Sequence, residues 1–289
     1  MHSLLFQINT PWFAIPIRAY GVMAALGFLF ALVVILRLAR KSGLPREFAY
    51  DLWFAAFIGG FLGARIWYVV QYWNTDFAGH PLGVFAITSG GLVWYGGIIG
   101  GVLGAVFVAR RHRRPLLFAL DLSIAPATLG LAFGRIGCFL NGCCFGGTTH
   151  LPWAVRFPPV SPAFLHQVDQ GLIGPDAFSS LPVHPTQLYE SAFAFLLFAL
   201  LYWYSGRRPR TGRAFAVFLL LYPPARIFFE WLRDDIPPWF WGMTPAQVTS
   251  VLGVLLGVLL FLRPPRPSKG SAPATSSRGG SSPSRPSPS

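Results

Sequence analysis

The chain has 289 residues, 53% of them hydrophobic and 11% charged, with a formal net charge of +13 and a mean hydropathy of +0.51. A water-soluble domain carries about 25% charged residues. A chain this poor in charge cannot cover itself with polar surface, so lipid is the solvent for most of it. The positive balance raises the nucleic-acid class, but the placement of the charges assigns them to a membrane, and no nucleic-acid partner is expected.

A bilayer core is crossed by about 20 apolar residues in helical form. Such runs lie near residues 20–37, 50–72, 91–109, 116–139, 186–204, 213–233 and 243–262. They predict an all-α, polytopic integral membrane protein with seven transmembrane helices forming one domain over residues 1–262. No basic segment precedes the first run and no small-residue cleavage site follows it, so it reads as a retained helix. Glycines inside the second run (Gly59, Gly60, Gly63) and the third (Gly96, Gly97, Gly100, Gly101, Gly104) predict close helix packing, because small residues let helices approach in lipid. Residues 146–183 read as a small periplasmic cap. Residues 263–289 are mostly Pro, Ser, Gly and Arg and cannot bury a core, which predicts a disordered basic tail.

The basic residues fix an orientation. Arg37, Arg40, Lys41 and Arg46 follow the first run; Arg110, Arg111, Arg113 and Arg114 the third; Arg207, Arg208, Arg210 and Arg213 the fifth; Arg263, Arg266, Lys269, Arg278 and Arg285 the seventh. The alternate loops, 73–90, 140–185 and 234–242, hold only Arg156. The positive-inside rule then predicts a periplasmic N-terminus and a cytoplasmic C-terminus in the inner membrane. Trp12, Phe13, Trp73, Trp239 and Trp241 fall near the outward ends, as an aromatic belt does.

Arg65, Arg135 and Arg226 lie inside the runs, where an arginine costs about 2.5–3.5 kcal/mol at mid-bilayer. At about 1.5 Å per residue they stand roughly 22, 28 and 20 Å from the basic ends of their helices, all in the outer half of the membrane. Glu190 and Glu230 fall there too, as do Tyr20 and His184. Three arginines against two glutamates leave one positive charge over, and a buried charge needs a partner. Arginine suits phosphate by its fork geometry, so the expected partner is a lipid headgroup. The competing reading makes these arginines staples on backbone carbonyls. Tyr222, Arg226, Glu230 and Arg233 recur on one helix face, with Arg233 read as snorkelling at the helix end. In His184-Pro185-Thr186-Gln187-Leu188-Tyr189-Glu190 the proline suits a first helical turn, and Gln187 and Glu190 share a face. Cys138, Cys143 and Cys144 are one thiolate short of a closed all-cysteine zinc site and read as packing residues. No metal or organic cofactor is expected.

These motifs together resemble the bacterial prolipoprotein diacylglyceryl transferases over roughly residues 10–262. They are Arg18-Ala19-Tyr20-Gly21, Gly63-Ala64-Arg65, Gly91 through Gly101, Gly134-Arg135-Ile136-Gly137 onward, the His184–Glu190 segment, and Arg226-Ile227-Phe228-Phe229-Glu230. The resemblance implies transfer of the diacylglyceryl group of phosphatidylglycerol to the lipobox cysteine of an exported preprolipoprotein, forming a thioether and releasing glycerol 1-phosphate. It implies Arg135, Arg226, Glu230, Tyr20 and His184 as catalytic candidates. Arg135, Arg65, Asn141, Gly146, Gln187, Glu190, Tyr95 and Tyr222 are the substrate-binding candidates, with His184 or Glu190 accepting the thiol proton. The chain departs from the family pattern where Cys138 replaces an Asn, Cys143 replaces a Glu, and Tyr95 stands in place of a His proposed as a base. Tyrosine, with a free pKa near 10, is a poor base near neutrality. The alternative reading of the same charges is an anionic-lipid or organic-anion transporter.

Overall fold

The structure is a computed structural model describing residues 4–9, 14–86, 91–207, 212–234 and 242–263. The predicted tail from residue 264 onward and the belt residues Trp12, Phe13, Trp239 and Trp241 lie outside the described residues. Every predicted span is a helix. They are α1 (Ala19–Lys41), α2 (Arg46–Gln71), α3 (Trp94–Arg111), α4 (Leu116–Asn141), α6 (Thr186–Ser205), α7 (Arg213–Trp231) and α8 (Pro245–Leu262). A short α5 (Pro162–Asp169) lies between α4 and α6.

Six of these helices are long and apolar enough to cross a membrane. The exception is α3, whose 18 residues include the terminal Arg110 and Arg111 and a run of glycines. It nevertheless runs antiparallel along the middle of α2: Gly96 packs on Gly63 and Trp67, Gly100 on Gly59 and Gly104 on Ala55. A helix matched in this way to a spanning partner crosses the same thickness. Little of α2 and α8 is buried inside the protein, and Ile66, Val70, Leu252 and Leu259 are exposed. Outward-facing aliphatic side chains on that scale belong in lipid. The chain is a multi-pass membrane protein.

One element lies outside the all-helical expectation. Leu4–Asn9 (β1) and Ala14–Arg18 (β2) pair antiparallel, with Gln7 opposite Pro16, and β2 runs directly into α1. Proline is tolerated because both strands of a two-stranded ribbon are edges. The segment is too short to announce itself as more than an apolar preface to the first span.

The apolar core sits at the end of the bundle that carries the basic loops. Leu38 of α1, Phe48 and Leu52 of α2, Val108 of α3, Leu122 of α4 and Leu201 of α6 are buried together there. Asp121 is buried at this end as well, where its two oxygens accept the N–H groups of Gly212 (2.7 Å) and Phe215 (2.9 Å) at the start of α7. A carboxylate there satisfies orphan amides and complements the helix dipole. Asp51 on α2 meets His112 at 2.7 Å. At the opposite end, residues 142–185 form a small lobe around Phe145, Phe157, Ala163 and Val183.

The α2–α3 contact is tight enough to test. A Cβ on Gly100 would strike the Gly59 carbonyl and lie 3.1 Å from the Gly63 Cα, and one on Gly59 would meet the Gly100 oxygen at 2.5 Å. Backbone cannot yield as a flexible side chain does. Gly100→Leu should therefore cost about 1–3 kcal/mol, read as a lowered midpoint in thermal unfolding of the detergent-solubilised protein. An unchanged midpoint would mean that the two helices do not meet through these glycines.

Candidate active site

The polar centre is assembled from the end of α4, the start of α6, the end of α7 and the two turns that follow α4 and α7. The first turn is forced by Gly142. It ends α4 in the left-handed region (φ 77), the Cys143 N–H reaches back to the Cys138 carbonyl at 3.2 Å, and a Cβ on Gly142 would crowd Ser161 and Phe157. The chain then slots between two other elements. The Gly146 N–H donates to the His184 carbonyl (3.0 Å), the Gly147 N–H to the Leu232 carbonyl (2.9 Å), and Gly146 pairs with Arg233 as an antiparallel bridge. From α6, the Thr186 hydroxyl donates to the Cys144 carbonyl and the Gln187 amide to the Cys143 carbonyl, each at 2.8 Å.

Beside this turn lies a buried network of five charges. Glu190, 2% exposed, takes Arg135 Nε at 3.0 Å and Arg226 Nη1 at 3.4 Å on Oε2, and its Oε1 accepts the Tyr222 hydroxyl at 2.7 Å. Glu230, 4% exposed, takes Arg226 Nη2 at 2.6 Å and Arg233 Nη1 at 3.6 Å on Oε2, and its Oε1 accepts the Thr244 hydroxyl at 2.8 Å. Arg226 thus bridges both carboxylates. Taking an ion out of water costs several kcal/mol, repaid only by pairing and further hydrogen bonds, which Tyr222 and Thr244 supply. Arg135 is different. Only its Nε faces Glu190; neither terminal amino group has a partner among the described residues.

Of the three arginines expected to face the two glutamates, Arg135 and Arg226 do and Arg65 does not; the excess positive charge comes instead from Arg233. Arg65 was expected to share the phosphate site; instead it is a staple. Its Nε donates to the Val84 carbonyl (3.0 Å), Nη1 to Gly91 (3.1 Å), and Nη2 to Gly83 (2.9 Å) and Ala86 (3.1 Å), while its guanidinium lies over the rings of Tyr68 and Phe77. Neither glutamate pairs with it. Its cost in lipid is met by carbonyls of the connection between α2 and α3. The third arginine of the network is Arg233, whose place at the helix end predicts a snorkelling side chain but which turns inward to Glu230. Its position on the Tyr222–Arg226–Glu230 face was the available signal. Thr244 was also missed. Thr244-Pro245-Ala246-Gln247 has the form of a capping box and does cap α8, but nothing in the sequence ties that cap to Glu230.

The other candidates are placed as follows. Tyr20, 46% exposed, opens α1 and packs its ring on Gly137 of α4. Asn141 is the last residue of α4. The Gln187 Oε1 and the His184 Nδ1 are buried with no hydrogen-bond partner among the described residues. Tyr95 stands in the first turn of α3, and its hydroxyl makes no hydrogen bond among the described residues. It belongs to the α2–α3 pair and not to the charge network.

The family model described as prolipoprotein diacylglyceryl transferase matches residues 5–263. The chain belongs to the prolipoprotein diacylglyceryl transferase family. Proteins named phosphatidylglycerol--prolipoprotein diacylglyceryl transferase are similar to it along nearly their whole length. The protein from Clostridium tetani is 31% identical over 263 residues, 90% of this chain and 97% of that protein. The one from Shewanella oneidensis is 36% identical over 265 residues, 90% and 92% of the two chains, and the one from Vibrio cholerae 33% over 265 residues, 90% of each. Within the transferase family frame, two of the departures read from the sequence now have a location. Cys138 and Cys143 carry their thiols into one group with that of Cys144, all within 4.8 Å of one another.

Proposed function

We propose that the chain transfers the diacylglyceryl group of phosphatidylglycerol to the lipobox cysteine thiol of exported preprolipoproteins, forming a thioether and releasing glycerol 1-phosphate. Family membership gives the reaction. The observation that supports Arg135 as its anion-binding residue is the guanidinium anchored through Nε on Glu190 with both terminal amino groups open. Two parallel N–H donors at a fixed spacing match two phosphate oxygens. Arg226 is committed to both glutamates, so its part is to hold the field of the site and the orientation of Glu190; Glu230 and Tyr222 fix it in turn. The Gln187 Oε1 is a free acceptor one helical turn from Glu190 and suits a glycerol hydroxyl of the headgroup. Tyr20 and Asn141 line the approach from α1 and the end of α4.

The nucleophile is the substrate's own thiolate, which positive neighbours favour. Charge developing on the departing glycerol phosphate is met by Arg135, and catalysis is positioning plus electrostatics. Both oxygens of Glu190 are bonded, so of the two candidates for the thiol proton His184 is the one with an open ring nitrogen. The basic loops lie in the cytoplasm, and the network and the 146–183 lobe at the periplasmic face of the inner membrane, where exported substrates arrive. The transporter alternative needs a polar path through the bundle. At the basic end Asp121 is committed to the first amides of α7, and the side chains buried around it are Leu38, Phe48, Leu52, Val108 and Leu122, an apolar plug and not a polar path.

The test is a transfer assay in nanodiscs containing phosphatidylglycerol with a lipobox peptide, reading glycerol phosphate release and thiol lipidation. Arg135→Ala should lower turnover about 10²–10³-fold, the scale for removing one transition-state donor. Arg135→Lys should recover only part, since a point charge lacks the fork. Full activity in Arg135→Ala would remove the phosphate clamp.

A further inference from the structure

The cysteines are the chemistry that the transfer reaction leaves unused. Cys138, Cys143 and Cys144 are the only cysteines of the chain, all three are free, and their sulfurs lie within 4.8 Å of one another. The Cys143 and Cys144 sulfurs are 3.9 Å apart. Bonds of about 2.3 Å to one cation place two thiolates about 3.8 Å apart in tetrahedral geometry and about 4.0 Å apart in trigonal geometry. The Cys143–Cys144 spacing is therefore that of sulfurs sharing a metal, a sulfur as far as 4.8 Å away would close by no more than about 1 Å to join them, and every pair is beyond the roughly 2.05 Å of a disulfide.

The backbone is built to hold this arrangement. Gly142 (φ 77) and Cys144 (φ 64) are both left-handed, and that double reversal folds Cys143 and Cys144 back onto Cys138 of the preceding helix. A non-glycine residue keeps such a φ only where its surroundings hold it. Here the Cys144 carbonyl is held by Thr186 and the Cys143 carbonyl by Gln187. Charge agrees as well. Three thiolates sum to one negative charge around zinc(II) and to two around copper(I), and the adjoining network of Arg135, Arg226, Arg233, Glu190 and Glu230, with one positive charge in excess, favours an anionic neighbour.

We propose that Cys138, Cys143 and Cys144 form a three-thiolate site for one thiophilic d¹⁰ cation, zinc(II) or copper(I), that locks the 138–146 turn beneath the charge network. Three cysteines are one short of a closed zinc site, but three protein ligands with an open position is the other common pattern. Soft thiolates select zinc and copper(I) over hard cations. The cation would take no part in the transfer chemistry, and its binding does not rest on that reaction.

The probe is cadmium(II), added to the reduced full-length protein in nanodiscs. With no other cysteine in the chain, a sulfur-to-cadmium absorption band can come only from these three. The band should saturate at one cadmium per chain, be displaced by zinc(II) or by copper(I), whichever the site prefers, and fall at least tenfold in apparent affinity in each of Cys138→Ser, Cys143→Ser and Cys144→Ser. Because a variant can misfold, the wild-type chain supplies a second reading. One equivalent of cadmium should slow iodoacetamide alkylation of all three thiols at least tenfold. No band, equal alkylation rates with and without cadmium, or a pair of these cysteines found joined as a disulfide in protein taken directly from membranes would overturn the proposal.

Discussion

Glu190→Ala should abolish transfer and lower stability more than any other single substitution in the charge network. The carboxylate takes Arg135, Arg226 and the Tyr222 hydroxyl at once, with almost no exposure to solvent. Its loss raises the buried excess from one positive charge to two and releases the guanidinium proposed to clamp phosphate. Removing one partner of a buried pair costs about 3–5 kcal/mol, because the charge left behind is uncompensated. Misplacing the clamp should separately cost at least about 10²-fold in turnover. Glu190→Gln keeps the shape and an acceptor for Tyr222 but not the charge, and should fall between. The double variant Glu190→Ala, Arg135→Ala removes the stranded charge together with its partner, so its loss of thermal stability should be smaller than the sum of the two single losses. Additive losses would mean that the two residues do not act as a pair.

The spans were legible because lipid imposes a crude rule. Some twenty apolar residues are needed to cross, and breaking charges are confined to the ends. That rule reads α1 and α8 directly and reads α3 in spite of its glycines. It has no vocabulary for the β1–β2 ribbon, which is short and precedes the first span. In the site, the Tyr222–Arg226–Glu230 face was legible because helix periodicity alone brings those residues together. The partner of Arg135 was legible only as a charge count; that it is Glu190, on another helix, is a tertiary fact. Arg65 shows where depth reasoning stops. Chain position places an arginine along the bilayer normal but not around the bundle, and Val84, Gly83, Ala86 and Gly91 claim its guanidinium before any headgroup can. Arg233 fails in the opposite direction, since a residue just past a helix end looks like a surface anchor until the Gly146 bridge folds over it.

Gly146→Ala separates a packing role from a binding role at a position that the motif alone marks as substrate-binding. A Cβ there would lie 2.7 Å from the His184 Cβ, 2.8 Å from the Leu232 carbonyl oxygen and 2.8 Å from the Thr186 methyl. Two of those contacts are to atoms on or next to backbone, which cannot rotate away. The segment must therefore shift, and with it go the bridge to Arg233 and the Thr186 hold on the Cys144 carbonyl. Overpacking of this kind costs about 1–3 kcal/mol, and a displacement of about 1 Å in a positioning element costs about 10²-fold in rate. The expected result is thus a lowered thermal midpoint together with a large fall in turnover, and only a modest change in the phosphatidylglycerol concentration that half-saturates the reaction. A glycine that touched the headgroup directly would give the reverse: an unchanged midpoint with a large rise in that concentration. Measuring both quantities on the one variant decides between the two roles.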